Sequence, residues 1–201
     1  MKATVTAFWG VAVLLVMMFS SQALAAGEFI ERVETYAISG QSGIELYRSI
    51  GERGPKSSVG RAIAHTTFKL TWRRNYQPQG DGSCKLVSAI PRLIITYTLP
   101  KPTGSLPPET KRRWDVFLEG IKRHEQVHGV HMKEMVAEIE ANTIGVAAPD
   151  DPGCQKVRQH IQAPLGAASM RQRQRSRDFD RQEMASGANM HRLVLGLVNG
   201  E

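Results

Sequence analysis

The sequence predicts an α+β fold: an N-terminal antiparallel sheet with a short helix, then a long helix carrying His124-Glu125-Gln126-Val127-His128, then C-terminal helices. Three observations predict it. Residues 62–73 alternate apolar and polar side chains with the period of two that a half-buried strand requires. Trp114, Phe117, Leu118, Ile121, Met135, Val136 and Ile139 follow the 3.6-residue rhythm of a helix from about Lys111 to Asn142. The strand-like segments all precede the long helix, an order that separates α+β chains from alternating βαβ ones.

The first residues read as a leader rather than as part of the fold. Lys2 supplies a positive start, Ala7 to Phe19 is almost continuously apolar, and Ala23-Leu24-Ala25 is a small-x-small cleavage signature, which places cleavage after Ala25. The apolar run is short of the roughly 20 residues that span a bilayer comfortably. Residues 26–201 then form one domain, with no later apolar stretch suited to crossing a membrane. A periplasmic or secreted location is expected.

Phe29 to Ala37 reads as the first strand. Ser39 to Gly43 is a turn in which Ser42 can cap a short amphipathic helix built on Ile44, Leu46, Tyr47 and Ile50 and ended by Gly51, Gly54 and Pro55. In the next strand Ala64, Thr66, Phe68, Leu70 and Trp72 share one face, and His65, Thr67, Lys69, Thr71 and Arg73 the other. After a polar loop from Asn75 to Ser83, Cys84–Ile90 and Arg92–Leu99 return as strand material, with Pro91 as a bulge or edge feature. Thr110 or Ser105 can cap the long helix. The stretch Gly145 to Gly153 breaks it, and Cys154–Gln162 is a further helical segment stopped by Pro164 and Gly166. Ser169–Met184 and Ala188–Val198 are the last helices.

Cys84 and Cys154 are the only cysteines. Both lie in the exported part, where a disulfide closing a long loop is allowed; free thiols or an intermolecular bridge satisfy the spacing as well. The net charge of +7 becomes +6 without Lys2. Arg171, Arg173, Arg175 and Arg177 alternate with polar residues and spread around a helix instead of forming a stripe. Without aromatic platforms nearby they do not make a nucleic-acid surface, whereas an anionic envelope surface suits them better.

The chemistry is concentrated at His124-Glu125-Gln126-Val127-His128, an HExxH sequence. On a helix the two imidazoles stack on one face and can hold one zinc ion, and Glu125 is placed as the general base of metal-assisted hydrolysis. A third ligand is needed. The metzincin spacing would require Gly and His where this chain has His131 and Glu134. His131 continues the same face, but about 10 Å along the axis from His124. A thermolysin-like site takes its carboxylate from a later helix. The region beyond the break offers His160, Asp178, Asp180, Glu183 and His191, and the expected third ligand is Glu183, His191, Asp178 or His160. Tyr36 and Tyr97 can support an oxyanion or pack at a sheet edge.

Together these pieces resemble a bacterial family, domain of unknown function 922, predicted secreted zinc-dependent proteases. The resemblance rests on Tyr36-Ala37-Ile38-Ser39-Gly40 with Glu45-Leu46, Ala64-His65-Thr66 leading to Trp72, Cys84, the strand before Leu99-Pro100, Trp114 with Phe117, HExxH, Cys154, and Asp178-Phe179-Asp180-Arg181-Gln182-Glu183. It implies a zinc peptidase acting on a peptide or protein substrate. A Tyr-Asp-x-x-Thr-x-His-Gly-like segment belongs to the family pattern. Here Glu183 matches no Thr cleanly and Ser186, before Gly187, stands where the His would be, so His191 or Glu183 would have to substitute. The competing reading is a non-catalytic, envelope-associated binding protein with a structural or vestigial metal site.

Overall fold

The computed structural model describes residues 27–57 and 60–199; the leader segment and its cleavage site lie outside the described residues. The elements run β1 (Glu28–Ile38), α1 (Gly43–Arg53), β2 (Lys56–Ser57), β3 (Gly60–Arg61), β4 (His65–Pro78), β5 (Cys84–Pro102), α2 (Pro108–Thr143), β6 (Ala147–Ala148), α3 (Gln155–His160), α4 (Gln162–Glu183) and α5 (Asn189–Asn199). Among the described residues no helix is long and apolar enough to cross a membrane.

The main sheet has the order β1-β5-β4, with β6 added to one end of β5. β4 and β5 form the expected antiparallel pair, while β1 lies parallel to β5, from Glu28 opposite Arg92 to Ile38 opposite Pro102. Cys84 to Pro102 is a single strand, not two pieces divided at Pro91. The irregularity falls earlier. Asn75 pairs with Ser88 and Tyr76 with Leu86, so the register skips Val87. An extra residue reverses which parity points inward. Accordingly Cys84 and Leu86 are buried before the bulge, and Ala89, Leu93, Ile95, Tyr97 and Leu99 after it. Pro91 is tolerated because β1 begins its pairing only at Arg92, so β5 is an edge strand on that flank at Pro91.

The inner face of the sheet is covered by α2 and α4. Leu93, Ile95 and Tyr97 pack on Met132 and Val136 of α2, and Leu70 and Trp72 of β4 meet Met135, Ile139, Leu165 and Ala168. The first half of α2 inserts Trp114, Phe117 and Ile121 among Ile38, Leu46, Ile50 and Leu197. Each such fully buried side chain stabilises the fold by about 1.5–3 kcal/mol relative to exposure. α5 approaches closely enough that a Cβ on Gly120 would lie 2.4 Å from Leu193.

Ser42 caps α1 as expected, accepting from the Glu45 N–H while Glu45 accepts from the Ser42 N–H. Neither Thr110 nor Ser105 caps α2: Pro107 holds that position, and the Thr110 hydroxyl donates to the Gln41 carbonyl. Pro164 and Gly166 do not stop a helix. Pro164 sits in the first turn of α4, where a missing N–H costs nothing, so the boundary lies at Ile161. Cys84 and Cys154 form a disulfide with Cα atoms 5.2 Å apart, fixing the start of α3 to the start of β5. Next to it the Asp151 carboxylate accepts from the N–H groups of Gln155 (2.7 Å) and Val157 (2.9 Å).

Candidate metal centre

α2 is amphipathic over its whole length, but what it faces changes along it. From His124 onward, the side turned to α4 carries the two histidines, Glu134 and Glu138 beside the apolar contact of Met135 and Ile139 with Ala168. α4 is clamped along this side by Arg171 to Glu138 and Arg175 to Glu134, so these two arginines do line up, facing α2. With these pairs and with Ala168 packed on Met135 and Ile139, the last turn of α4 lies over the two histidines.

There three ligand atoms converge. His124 Nε2 and His128 Nε2 lie 3.3 Å apart, and Asp180 Oδ1 is 3.2 Å from the first and 2.9 Å from the second. These residues form a group able to hold a metal ion. Donors sharing a tetrahedral zinc ion at about 2.0–2.1 Å would lie about 3.3 Å apart, and two imidazoles with one carboxylate leave the fourth position that catalytic sites keep open. The donor set therefore fits zinc in both chemistry and spacing. Phe179 stacks on the His124 ring with centroids 4.7 Å apart and meets His128 edge-on at 5.5 Å. The His124 side chain is 3 % exposed and that of Asp180 41 %, so the centre opens to solvent on the α4 side.

The charges agree with this geometry. Burial alone would raise the Asp180 carboxyl, but hydrogen bonds from His124 and His128 and their positive charge hold it well below the usual carboxylate range. Burial pulls His128 down, and the Asp180 contact together with the Asp180 and Glu125 charges more than offsets this, leaving His128 raised.

Glu125, next on the helix, lies on the sheet side of the two histidines, near enough that its charge acts on His128. It is buried, and its Oε2 accepts a 2.5 Å hydrogen bond from the Thr66 hydroxyl of β4. The next turn of α2 lies close on β5: a Cβ on Gly129 would come within 2.2 Å of the Tyr97 hydroxyl. Tyr97 is pushed up to about 12 by burial and by the charges of Glu31 and Glu125, so it remains protonated and donates to Glu31, which Lys133 also engages. The Tyr36 hydroxyl donates to the Ile63 carbonyl at 2.6 Å. Both tyrosine hydroxyls are thus engaged in holding the fold.

The expected site residues distribute as follows. His124, His128 and Glu125 occupy the centre. Glu183 reaches it from α4, its Oε2 3.9 Å from His124 Nδ1. Asp178 is turned to Gln174 and Arg181. His191 accepts from the Gly187 N–H, and His160 ends α3. The carboxylate brought to the two Nε2 atoms is Asp180, which was among the acidic residues of the region but not among the expected ligands. Its signal was Phe179-Asp180-Arg181-Gln182-Glu183, where an aromatic residue and two acids three apart share one helical face. Thr66 carried no chemical signal beyond its parity on β4 and its place in Ala64-His65-Thr66 of the family pattern.

No curated protein and no solved structure matches the chain. A family model described as bacterial protein of unknown function (DUF922) matches residues 33–187, which include Thr66, the HExxH turn, Asp180 and Glu183, and the chain belongs to that family.

Proposed function

We propose that the protein is a zinc-dependent peptidase of the periplasm or the extracellular medium, hydrolysing peptide bonds in a peptide or protein substrate. The observation that carries the reading is the division of the HExxH turn: His124 and His128 converge with Asp180 on one side, and Glu125 is fixed by Thr66 on the other. His124, His128 and Asp180 would hold the ion. Bound zinc supplies Lewis acidity, which acidifies water and polarises a carbonyl oxygen. Glu125 takes the proton from the attacking water as its oxygen bonds to the carbonyl carbon, and returns it to the amine nitrogen as the C–N bond breaks. Thr66 engages Oε2 of that carboxylate, which leaves Oε1 for the proton. The export reading draws support from the disulfide between Cys84 and Cys154, a bond that persists in oxidising compartments.

The test is zinc analysis and a chelator-reversible peptidase assay on residues 26–201, comparing wild type with His124→Ala and Glu125→Ala. Expected are near-stoichiometric zinc in wild type, loss of zinc in His124→Ala, and retained zinc without turnover in Glu125→Ala. Zinc bound by a wild type that cleaves nothing would favour the non-catalytic binding protein. No zinc in wild type would sink both readings of the centre.

A further inference from the structure

We propose that Glu183 is a positioning residue for the metal centre, acting through the far nitrogen of His124, and is not itself a ligand. The inference rests on the metal reading of His124, His128 and Asp180. Asp180 and Glu183 are three residues apart on α4 and bracket one imidazole: Asp180 Oδ1 stands 3.2 Å from Nε2, and Glu183 Oε2 stands 3.9 Å from Nδ1. The two nitrogens point to opposite sides of the ring. Nε2 faces the convergence with His128, and Nδ1 faces away from it. A carboxylate in front of Nδ1 is therefore on the wrong side of His124 to complete the same ligand set.

Two further observations give that carboxylate a task. His124 Nδ1 is buried and has no hydrogen-bond partner among the described residues. Glu183 Oε2, the oxygen in front of it, is held by the Asn189 amide at 2.8 Å, from the first residue of α5. Metal binding through Nε2 requires a lone pair there, so the ring proton must reside on Nδ1. A fixed carboxylate opposite Nδ1 favours that tautomer, makes the imidazole a stronger donor and locks the ring angle. An inward movement of about 1 Å brings the pair to the length of a charge-assisted hydrogen bond. Phe179 stacked on the ring face completes the clamp, so His124 is oriented by three side chains of one helical turn.

The test titrates zinc against a competing chelator in wild type, Glu183→Gln, Glu183→Ala, Asn189→Ala and Asp180→Ala forms of residues 26–201. Cobalt(II) spectra are recorded on each, with long-range proton–nitrogen NMR of the histidine rings in the zinc-loaded protein. Removing an orienting partner of this kind should weaken zinc binding by about 10–100-fold. Both Glu183 variants should keep one zinc per chain, an unchanged cobalt spectrum and an unchanged melting temperature of the metal-free protein. The Nδ1–H resonance of His124 should move upfield in both, and Asn189→Ala should shift affinity in the same direction by less. If Glu183→Ala does not fold, the isosteric Glu183→Gln decides. Zinc affinity that falls in Asp180→Ala but stays at the wild-type value in the Glu183 variants would overturn this proposal alone. A cobalt spectrum that loses a ligand in Glu183→Gln would overturn it in favour of Glu183 as a ligand. Zinc binding that is absent, or indifferent to Asp180→Ala, would remove the metal reading and this inference together.

Discussion

On the α4 side of residues 124–128, two imidazoles meet Phe179, Asp180 and Glu183 of one stretch of helix; on the β4 side, Glu125 meets a single hydroxyl, that of Thr66. The helix repeat is the cause. Residues four apart share a face, while their neighbour lies about 100° around the axis and is carried to a different element. The α4 side collects groups that hold a charge in place. The β4 side isolates a carboxylate with one fixed and one available oxygen, as a proton carrier needs. The separation gives the two sides different dependence on substitution.

The largest effect is expected from Asp180→Ala or His128→Ala, which remove a donor: zinc content should fall from about one per chain to near zero, and turnover should vanish with it, read by metal analysis and peptide cleavage on the same preparation. Glu125→Gln should leave the zinc content unchanged while turnover falls by about 10²–10⁴-fold. Should that variant lose its zinc, the two sides are not separable. Gly129→Ala probes the axis on which both sides hang. Its Cβ meets the Tyr97 hydroxyl at 2.2 Å and must push α2 from the sheet, for a destabilisation of about 1–3 kcal/mol in urea unfolding. Adding Tyr97→Phe should recover part of that loss, and strict additivity would count against the contact.

Thr66→Val should be milder. One hydrogen bond to a charged group is lost, about 1.5 kcal/mol, so turnover should drop about tenfold with zinc affinity untouched. The smallest effect concerns the start of α3. Burial pushes the Asp151 carboxyl up, but the N–H groups of Val157, Lys156 and Gln155 outweigh it and hold the carboxyl below its ordinary value. A depressed carboxylate contributes stability that is complete above its unfolded value of about 3.9 and is lost as pH falls through the lower folded value. Wild type should therefore lose melting temperature on acidification below about pH 4 more steeply than Asp151→Asn. Equal slopes in the two proteins would show that Asp151 does not act through its charge.

Much of the fold could be read in advance because the signals are local. Alternation at Ala64–Trp72 and the 3.6 rhythm from Trp114 to Ile139 are properties of a strand and a helix before any packing, and Ser42 with Glu45 is a cap complete within four residues. Readings that depended on a partner fared differently. Pro164 and Gly166 read as a stop, yet Pro is harmless in a first turn, and where that turn begins is fixed by the disulfide and by Val157 and Ile161 packing beside Cys84 and Leu86. The parallel pairing of β1 with β5 has no counterpart in either strand's own pattern.

The same division runs through the candidate centre. His124, Glu125 and His128 are legible because their spacing and the helix repeat alone put two imidazoles on one face and the carboxylate beside them. Four candidates for the third ligand remained open, and the carboxylate that meets both Nε2 atoms is a different one, Asp180. That choice depends on the rotation of α4 about its axis. Contacts between the two helices hold it: Ala168 packs on Met135 and Ile139, and Arg171 and Arg175 pair with Glu138 and Glu134 across more than thirty residues of chain. Spacing within a helix is written in consecutive residues, whereas the register of one helix against another is decided by contacts between residues far apart in the chain, and so by packing.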